Sequence, residues 1–375
     1  MFFTISELNS CLVNNTFRME TPRTIREALH QGDHIIQVDL KDAYYHLAVR
    51  KKYRKYLRFA VNGTVYQWRA CPFGLNIAPR VFTKTMAPIL KLLRKCRIPI
   101  HAYLDDWIAR IQKPDPGQGL RTAEAIASLL RLLGWIINYE KSWLFTRQQI
   151  LYIGLDWDLK AAIVRPGAQK MNNLRKRVKI ARPGKKLTAR QLESLTGTIK
   201  WMAPYVPYGK RHLRALQHKI KTKWSQSRDG WKKQLTSDRT LHSLLLWWTK
   251  PTNVRAGVPL HPQPPSMNIF TDASDSAWGG KLWDLKTRED WTPRWKRKHI
   301  NLRELEAVRR SLVTFTEHVK NKSVMVHCDN STAVACIRRQ GSLRSLPLNN
   351  LTSKILRWTE ENNITLNITH IQGYR

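Results

Sequence analysis

The sequence predicts an α+β domain in the N-terminal part and a separate α/β domain in the C-terminal part, joined by a basic helical stretch. Three observations predict this. The first part runs strand, helix, hairpin, helix, strand, which places helices on one face of a small antiparallel sheet. From about 165 to 250 the pattern turns helical and very basic, and "NLRKRVKIARPGKK" (173–186) holds seven Lys or Arg. After "PTNVRAGVPLHPQPP" (251–265), whose five prolines read as a linker, strands and helices alternate again. At 375 residues the chain is long enough for two or three domains.

The elements follow from local signals. "ETPRTIREALHQG" reads as a short capped helix ending at Gly32, and "HIIQVDL" as a buried strand reaching Asp39. "YRKYLRFAVNGTVYQWRA" is a hairpin turning at Asn62-Gly63. "CPFGLNIAPRVFTKTMAPILKLLRK" is a Gly- and Pro-bearing loop entering an amphipathic helix, and "IPIHAYLDDWIARI" (98–111) is a second hairpin with Asp105 and Asp106 at its tip. A "KPDPGQG" loop follows, with Thr122 placed to cap a helix that Gly134 stops. "WIINYEKSWLF" and "ILYIGLDWD" are strand candidates, and Thr188 with Gln191 has capping-box spacing. In the last part "MNIFTDAS", "AWGGKLWD", "SVMVHCD" and "ITLNITHI" read as strands. "NLRELEAVRRSLVTFTEHV", "NSTAVACIRRQ" and "LNNLTSKILRWTEEN" read as helices.

Lys and Arg number 65 and Asp and Glu 27, a net +38 spread along the chain. A charge of this size favours a polyanionic partner, nucleic acid first, with binding that weakens as salt rises. Five scattered cysteines without a CxxC pair indicate neither a zinc site nor a disulfide framework. A reducing, intracellular compartment fits, cytoplasm or nucleus. The start is too polar for a signal peptide, and no apolar run reaches membrane-spanning length. "LLLWW" (244–248) reads as core packing rather than base stacking.

The carboxylates are the candidate chemistry. Asp39 ends a strand and could equally cap the next segment, and Asp42 could favour a helix N-terminus. An Asp-Asp pair is common in solvated turns, but Tyr103, Leu104, Trp107 and Ile108 flank this one and favour a packed hairpin. Two carboxylates held close in apolar surroundings repel, and a divalent cation removes that penalty. A pair of Mg²⁺ ions, with Mn²⁺ as the substitute, suits phosphoryl transfer. In the last part Asp272 and Asp329 close strands. Glu304 lies at the edge of the helical stripe Leu305, Val308, Leu312, Phe315 and Val319, and Glu306 is expected on the solvent side. The plain reading of Glu304 is a first-turn carboxylate favouring the helix N-terminus.

"VDLKDAYYHL", "CPFGLNIAPRVF", "YLDD", "LGWIINYEKS" and "LYIGLDWD" stand in the order and approximate spacing of reverse transcriptase palm motifs, which they resemble. "TDAS", "LRELEAV" and "HCDNSTAVA" are similar to the first three ribonuclease H motifs. The whole most resembles the DIRS-like retrotransposons that use a tyrosine recombinase. Gypsy-like and pararetroviral enzymes are more distant.

The resemblance implies a right-hand polymerase palm with truncated fingers over 1–160, a basic helical thumb or connection over 161–250, and a ribonuclease H-like domain over 266–375. It implies an RNA-directed DNA polymerase working on an RNA template, a DNA primer, an RNA–DNA hybrid and dNTPs. Asp39, Asp105 and Asp106 would bind the catalytic metals, and Leu40 would offer a backbone carbonyl. Tyr44 would exclude a 2′-hydroxyl, although core packing also explains a tyrosine there. Phe73 and Gly74 would lie against nucleotide and template, Lys141 near the triphosphate, and Gly154 would let the "LYIGLDWD" grip approach the primer closely. Asp272, Glu304 and Asp329 would bind metal and hydrolyse RNA paired to DNA. Family members carry fingers residues upstream of Leu8-Asn9, so nucleotide binding is expected to be weakened. They also continue beyond "THIQGYR" to a fourth metal-binding aspartate, so the nuclease site is expected to be incomplete. A catalytically inactive nucleic-acid-binding remnant is the rival expectation. A viral RNA-dependent RNA polymerase is disfavoured by Tyr44 and the appended domain. Segment 173–186 also fits a nuclear import signal beside its role as a backbone-binding thumb helix.

Overall fold

The computed structural model describes residues 5–13, 15–112, 117–224 and 234–372. The chain forms two units, one from Met1–Val164 with Pro259–His261, the other from Arg165–Val258 with Pro262–Arg375. Among the described residues no helix is long and apolar enough to cross a membrane.

The first unit is built on a four-stranded antiparallel sheet. Its strands are β1 (His34–Asp39), β2 (Ile100–Tyr103), β3 (Asp106–Ile111) and β4 (Trp143–Arg147), in the order β2-β3-β1-β4. Helix α1 (Ala78–Lys95) buries Ala78, Phe82, Met86, Ile89 and Leu93, one residue per turn of its inner face. Helix α2 (Gln118–Leu132) buries Ala123, Ile126, Ala127 and Leu130. Both stripes join Ile36, Val38, Trp107 and Ala109 in one core, and Trp107 is wholly buried. Burying each such side chain stabilises by roughly 1.5–3 kcal/mol.

Several expectations change in detail. Helix α2 starts at Gln118, four residues before Thr122, and Gly117 stands at its cap without a side-chain bond. The "KPDP" part of the preceding loop lies outside the described residues. "ILYIGLDWD" is two strands, β5 (Gln149–Tyr152) and β6 (Leu155–Asp158), paired antiparallel around Ile153 and Gly154. Both turn residues have positive φ, +45° and +78°, which suits a two-residue hairpin turn. The Asn62-Gly63 hairpin forms as expected, with φ of +49° and +80°.

The segment expected as linker is tied down. Pro251–Val254 is a helical turn, and Leu260 is buried. The Arg26 guanidinium donates to the carbonyls of Leu260 (2.7 Å) and Pro259 (2.5 Å), and the His261 ring contacts the Leu29 carbonyl at 2.7 Å. These bonds fasten residues 259–261 to the first unit.

In the second unit α3 (Ala168–Ile180), α4 (Ala189–Met202) and α5 (Gly209–Trp224) share a core with the helix Arg239–Trp247. Thr188 and Gln191 form the expected reciprocal cap of α4. Trp248 is fully buried, and the Trp247 ring stacks on His212 with centroids 3.5 Å apart. The same unit holds a five-stranded sheet of β7 (Met267–Ala273), β8 (Ala277–Leu282), β9 (Leu285–Asp290), β10 (Ser323–Cys328) and β11 (Thr365–His370). The order is β9-β8-β7-β10-β11, antiparallel on the β8–β9 side and parallel through β10 and β11. Residues 161–250 and 266–375, separate in the sequence reading, thus fall almost wholly into one unit. Helix α6 (Ile300–Thr314) buries Leu305, Val308 and Leu312 against this sheet, and the chain breaks at Phe315 before Thr316–Val319. Helix α7 (Leu346–Glu361) completes the layer. The last three residues of "THIQGYR" lie outside the described residues.

Candidate active sites

Antiparallel register sets the first site. β1 and β3 pair His34 with Ile111 and end on Asp39 opposite Asp106. The β2–β3 hairpin closes at Tyr103 opposite Asp106, leaving Leu104 and Asp105 as its turn. Leu104 adopts a left-handed φ of +54°, a strained conformation for a branched side chain. Three hydrogen bonds hold the tip in that shape. The Trp107 indole donates to the Leu104 carbonyl (2.9 Å). The Leu40 N–H donates to the Asp105 carbonyl (3.0 Å), and the Tyr152 hydroxyl to that of Asp106 (3.1 Å). Asp39 is fixed from the other side. Its N–H donates to Ser142 Oγ (2.9 Å), and its carbonyl accepts from Asn138 N–H (2.8 Å). The Ser142 hydroxyl donates onward to the Asn138 carbonyl (2.7 Å).

Electrostatics follow from that geometry. Burial, then the charges of Asp105 and Asp39, then a side-chain hydrogen bond with Asp39 push the Asp106 carboxyl up to about 7. Burial, with Asp39 adding to it, also raises Asp105. The Lys141 ammonium opposes both shifts. The Asp39–Asp106 contact therefore holds a proton where a cation would relieve the same repulsion. Carboxylate oxygens suit a hard divalent ion such as Mg²⁺ or Mn²⁺. Here Asp39, Asp105 and Asp106 do not bring one oxygen each within 4.8 Å of the other two, so an ion would have to draw them together.

Of the other expected nucleotide residues, Leu40, Tyr44 and Lys141 are linked directly to these carboxylates, and Phe73 reaches them only through Tyr44. Tyr44 lies in the turn Ala43–His46, its ring 5.1 Å from that of Phe73 and edge-on to Phe82 at 5.7 Å. Burial, then the Asp105 charge, raises its hydroxyl. Phe73 is 52% exposed. Gly74 has φ +95°, and its carbonyl accepts from Asn9 Nδ2 at 2.7 Å. Leu40 is buried beneath Asp105, and Lys141 is exposed in the turn before β4.

The second cluster lies at the strand ends of the five-stranded sheet. Among the described residues, one set of three His, Cys, Asp or Glu side chains brings its donor atoms within 4.8 Å of one another: Glu304, Cys328 and Asp329. Glu304 is only 4% exposed. Burial, then the charges of Asp329 and Asp272, push its carboxyl up to about 8. Asp272 acts on Glu304 through charge but stands outside the tight set, its Oδ1 accepting from Ala273 N–H at 2.8 Å. The Cys328 thiol donates to Glu304 Oε2 across 3.9 Å, and burial raises it to about 12. At neutral pH it is therefore a thiol, and the hard ligands here are the carboxylates.

Glu306 corrects an expectation. It is buried rather than solvent-facing, because Arg309 (2.6 Å) and Arg310 (3.2 Å) fold back over its carboxylate. A buried carboxylate paired twice needs no metal to stay charged.

Residues 3–157 match the family described as reverse transcriptase (RNA-dependent DNA polymerase). The matched segment is less than half of the chain. Similarity to curated proteins extends beyond that segment. The chain is 21% identical over 371 residues to the genome polyprotein of Petunia vein clearing virus, covering 94% of this chain and 15% of the relative. It is 23% identical over 337 residues to a putative enzymatic polyprotein of Cassava vein mosaic virus, covering 86% and 48%. The enzymatic polyprotein of Cauliflower mosaic virus (strain D/H) is 24% identical over 309 residues, covering 78% and 42%. The chain thus spans less than half the length of these relatives. Two solved structures share the fold. A foamy viral protease-reverse transcriptase with double-stranded DNA aligns at TM-score 0.57 and 14% identity, over 99% of this chain and 63% of that one. A second, with RNA/DNA hybrid, aligns at 0.55 and 15%, over 98% and 48%. The architecture is therefore that of a palm, fingers and thumb polymerase.

Sequence reasoning missed Ser142, Tyr152 and Trp107 as supports of the carboxylates, and Cys328 as a neighbour of Glu304. Ser142 and Tyr152 lie inside "NYEKS" and "LYIG", motifs already noted, so their position was available although their bonds were not. Cys328 likewise lies inside "HCDNSTAVA", but the contact between the end of β10 and Glu304 on α6 is tertiary and was not available.

Proposed function

We propose that the chain is an RNA-directed DNA polymerase of a retroelement, which attaches a dNTP to a primer 3′-hydroxyl. The observation that carries the reading is the register that sets Asp39 against Asp106 beside a tied Asp105, with Asp106 pushed up to about 7. Divalent ions bound there, Mg²⁺ with Mn²⁺ as substitute, would lower the barrier by stabilising both the attacking and the leaving oxygen. Asp39, Asp105 and Asp106 would supply the oxygen donors that hold such ions. The 3′-oxygen forms the new bond to the α-phosphorus as its proton passes to solvent, and the bond from the α-phosphorus to the bridging oxygen breaks, that oxygen leaving with pyrophosphate. Lys141 favours the triphosphate by charge. Tyr44, braced by Phe73 and Phe82, blocks the 2′ side of the sugar. Gly74 and the Leu40 carbonyl line the nucleotide, and the Ile153-Gly154 turn grips the primer end.

In the second unit Asp272, Glu304 and Asp329 are proposed as the metal-binding residues of a ribonuclease H-like site, and cleavage of RNA paired to DNA is expected to be weak or absent, since Asp272 stands outside the tight set. The template is RNA, the primer DNA, and the location intracellular, in cytoplasm or nucleus. The motif order favours a DIRS-like retrotransposon as the source.

Primer extension on an RNA template with dNTPs and Mg²⁺ tests the reading, beside Asp105→Asn. Extension by the parent and none by the variant supports it. Binding of primer–template by both without extension by either ends it.

A further inference from the structure

Between positions 43 and 104 the sequence has thirteen Lys or Arg and no Asp or Glu. Within that stretch the strands Arg58–Val61 and Thr64–Gln67 form a hairpin whose eight side chains are all exposed. Four of them are Phe59, Val61, Val65 and Tyr66, large apolar groups with no core to fill. A free two-stranded ribbon of this kind gains little stability by itself and carries an apolar face into water.

The aromatic rings on it are in series with the polymerase site. Tyr44, Phe73, Tyr45, Trp68, Phe59 and Tyr66 follow one another with successive centroids 5.1–5.6 Å apart. Phe59 and Tyr66 are direct cross-strand partners. The inner end is Tyr44, within electrostatic reach of Asp105, and the outer end is the hairpin. Tyr45, Phe59, Tyr66 and Phe73 are each between 36 and 52% exposed, so bases can reach their faces. Cations flank the run. Lys52 and Lys55 lie over the rings of Tyr53 and Tyr56, at 4.8 and 5.1 Å, and Arg58 is exposed on the hairpin itself.

Exposed rings interleaved with unopposed cations are the chemistry that binds single-stranded nucleic acid without reading its sequence. A protein partner is a poorer fit, because interface centres are depleted in charge. We propose that this aromatic ladder is the track for the unpaired template strand ahead of the polymerase site. The proposal deepens the polymerase reading and rests on it for the word template. The binding surface stands on the ladder and its charge alone.

The test measures fluorescence anisotropy of a labelled single-stranded oligonucleotide of about twelve nucleotides, and of a blunt duplex, with no metal added. The parent is compared with the double variant Phe59→Leu/Tyr66→Leu, which keeps apolar strand residues but removes the flat rings. The variant is expected to lose about tenfold affinity for the single strand and to hold the duplex within about twofold. Single-strand affinity equal to the parent's overturns the proposal. So does a parent that dimerises through the hairpin, with the dimer lost in the variant and oligonucleotide binding kept. A variant that misfolds shows it in its melting curve, and the milder Tyr66→Leu is then read the same way. Ladder-dependent binding without primer extension by the parent sinks the polymerase reading alone. Extension with ladder-independent binding sinks the track alone.

Discussion

Asp39 and Asp106 stand directly opposite each other at the ends of two antiparallel strands, close enough for Asp39 to help push the Asp106 carboxyl up. Neither can leave that arrangement without breaking strand register, so their repulsion is a fixed property of the fold. Asp106 takes up the cost by holding its proton up to about 7, against 3.8 for a free aspartate. The folded state thus binds a proton that the unfolded chain releases. Stability is full below pH about 4 and falls as pH rises toward 7, by on the order of 2 kcal/mol once solvent screening is allowed for. The melting temperature without divalent ions is expected to fall between pH 5 and 8, and Asp106→Asn is expected to flatten that slope. A slope of equal size in the variant would place the proton elsewhere.

Metal binding competes with that proton. Added Mg²⁺ or Mn²⁺ is therefore expected to raise the melting temperature at pH 8 more than at pH 6. A thermal-shift titration at both values checks this, and an equal rise at each contradicts it.

Ser142 holds Asp39 through a single hydroxyl that accepts one bond and donates another. Ser142→Ala leaves the Asp39 N–H without that acceptor, at a cost of roughly 1–3 kcal/mol. Extension is expected to slow by about tenfold while the apparent affinity for dNTP stays near the parent's. Steady-state kinetics separate the two. A change confined to nucleotide affinity would mean that Ser142 serves the pocket and not the carboxylate.

How much of this was legible depends on the range of the signal. The Asn62-Gly63 turn and the Thr188/Gln191 cap are local, and the residues alone predict them. The β5–β6 hairpin was hidden because Ile153 is a poor residue for a left-handed turn, so "LYIGLDWD" reads as one strand. Glu306 looked solvent-facing because helical periodicity knows nothing of Arg309 and Arg310 closing over it. The carboxylates were readable as candidates from their flanking apolar residues. Their register, and the Tyr152 bond to the hairpin tip, belong to tertiary structure.

Tyr44 is the clearest test of nucleotide selection. Tyr44→Val opens the space beside Phe73 and is expected to reduce the preference for dNTP over NTP by tenfold or more, about 1.4 kcal/mol or above. The ratio of kcat/KM for the two nucleotides measures it. An unchanged ratio would leave Tyr44 a packing residue.

Glu304 keeps a proton up to about 8, so Glu304→Gln replaces a neutral acid with a neutral amide of the same shape. The fold is expected to tolerate it at pH 7, with stability within about 1 kcal/mol of the parent. Divalent-ion binding by the second unit should be lost, as read by Mn²⁺ titration against Asp329→Asn. Retained binding in both variants would exclude Glu304 and Asp329 as ligands.

Residues 259–261 clasp the first unit through Arg26, Leu29 and the buried Leu260. The clasp comes from a point nearly a hundred residues beyond the last continuous residue of that unit. The two halves are therefore not beads that can be traded at one junction. A recombination crossover or a clone cut near Val164 would deliver the first unit without its fastener, and exchange between elements would have to carry both crossings together.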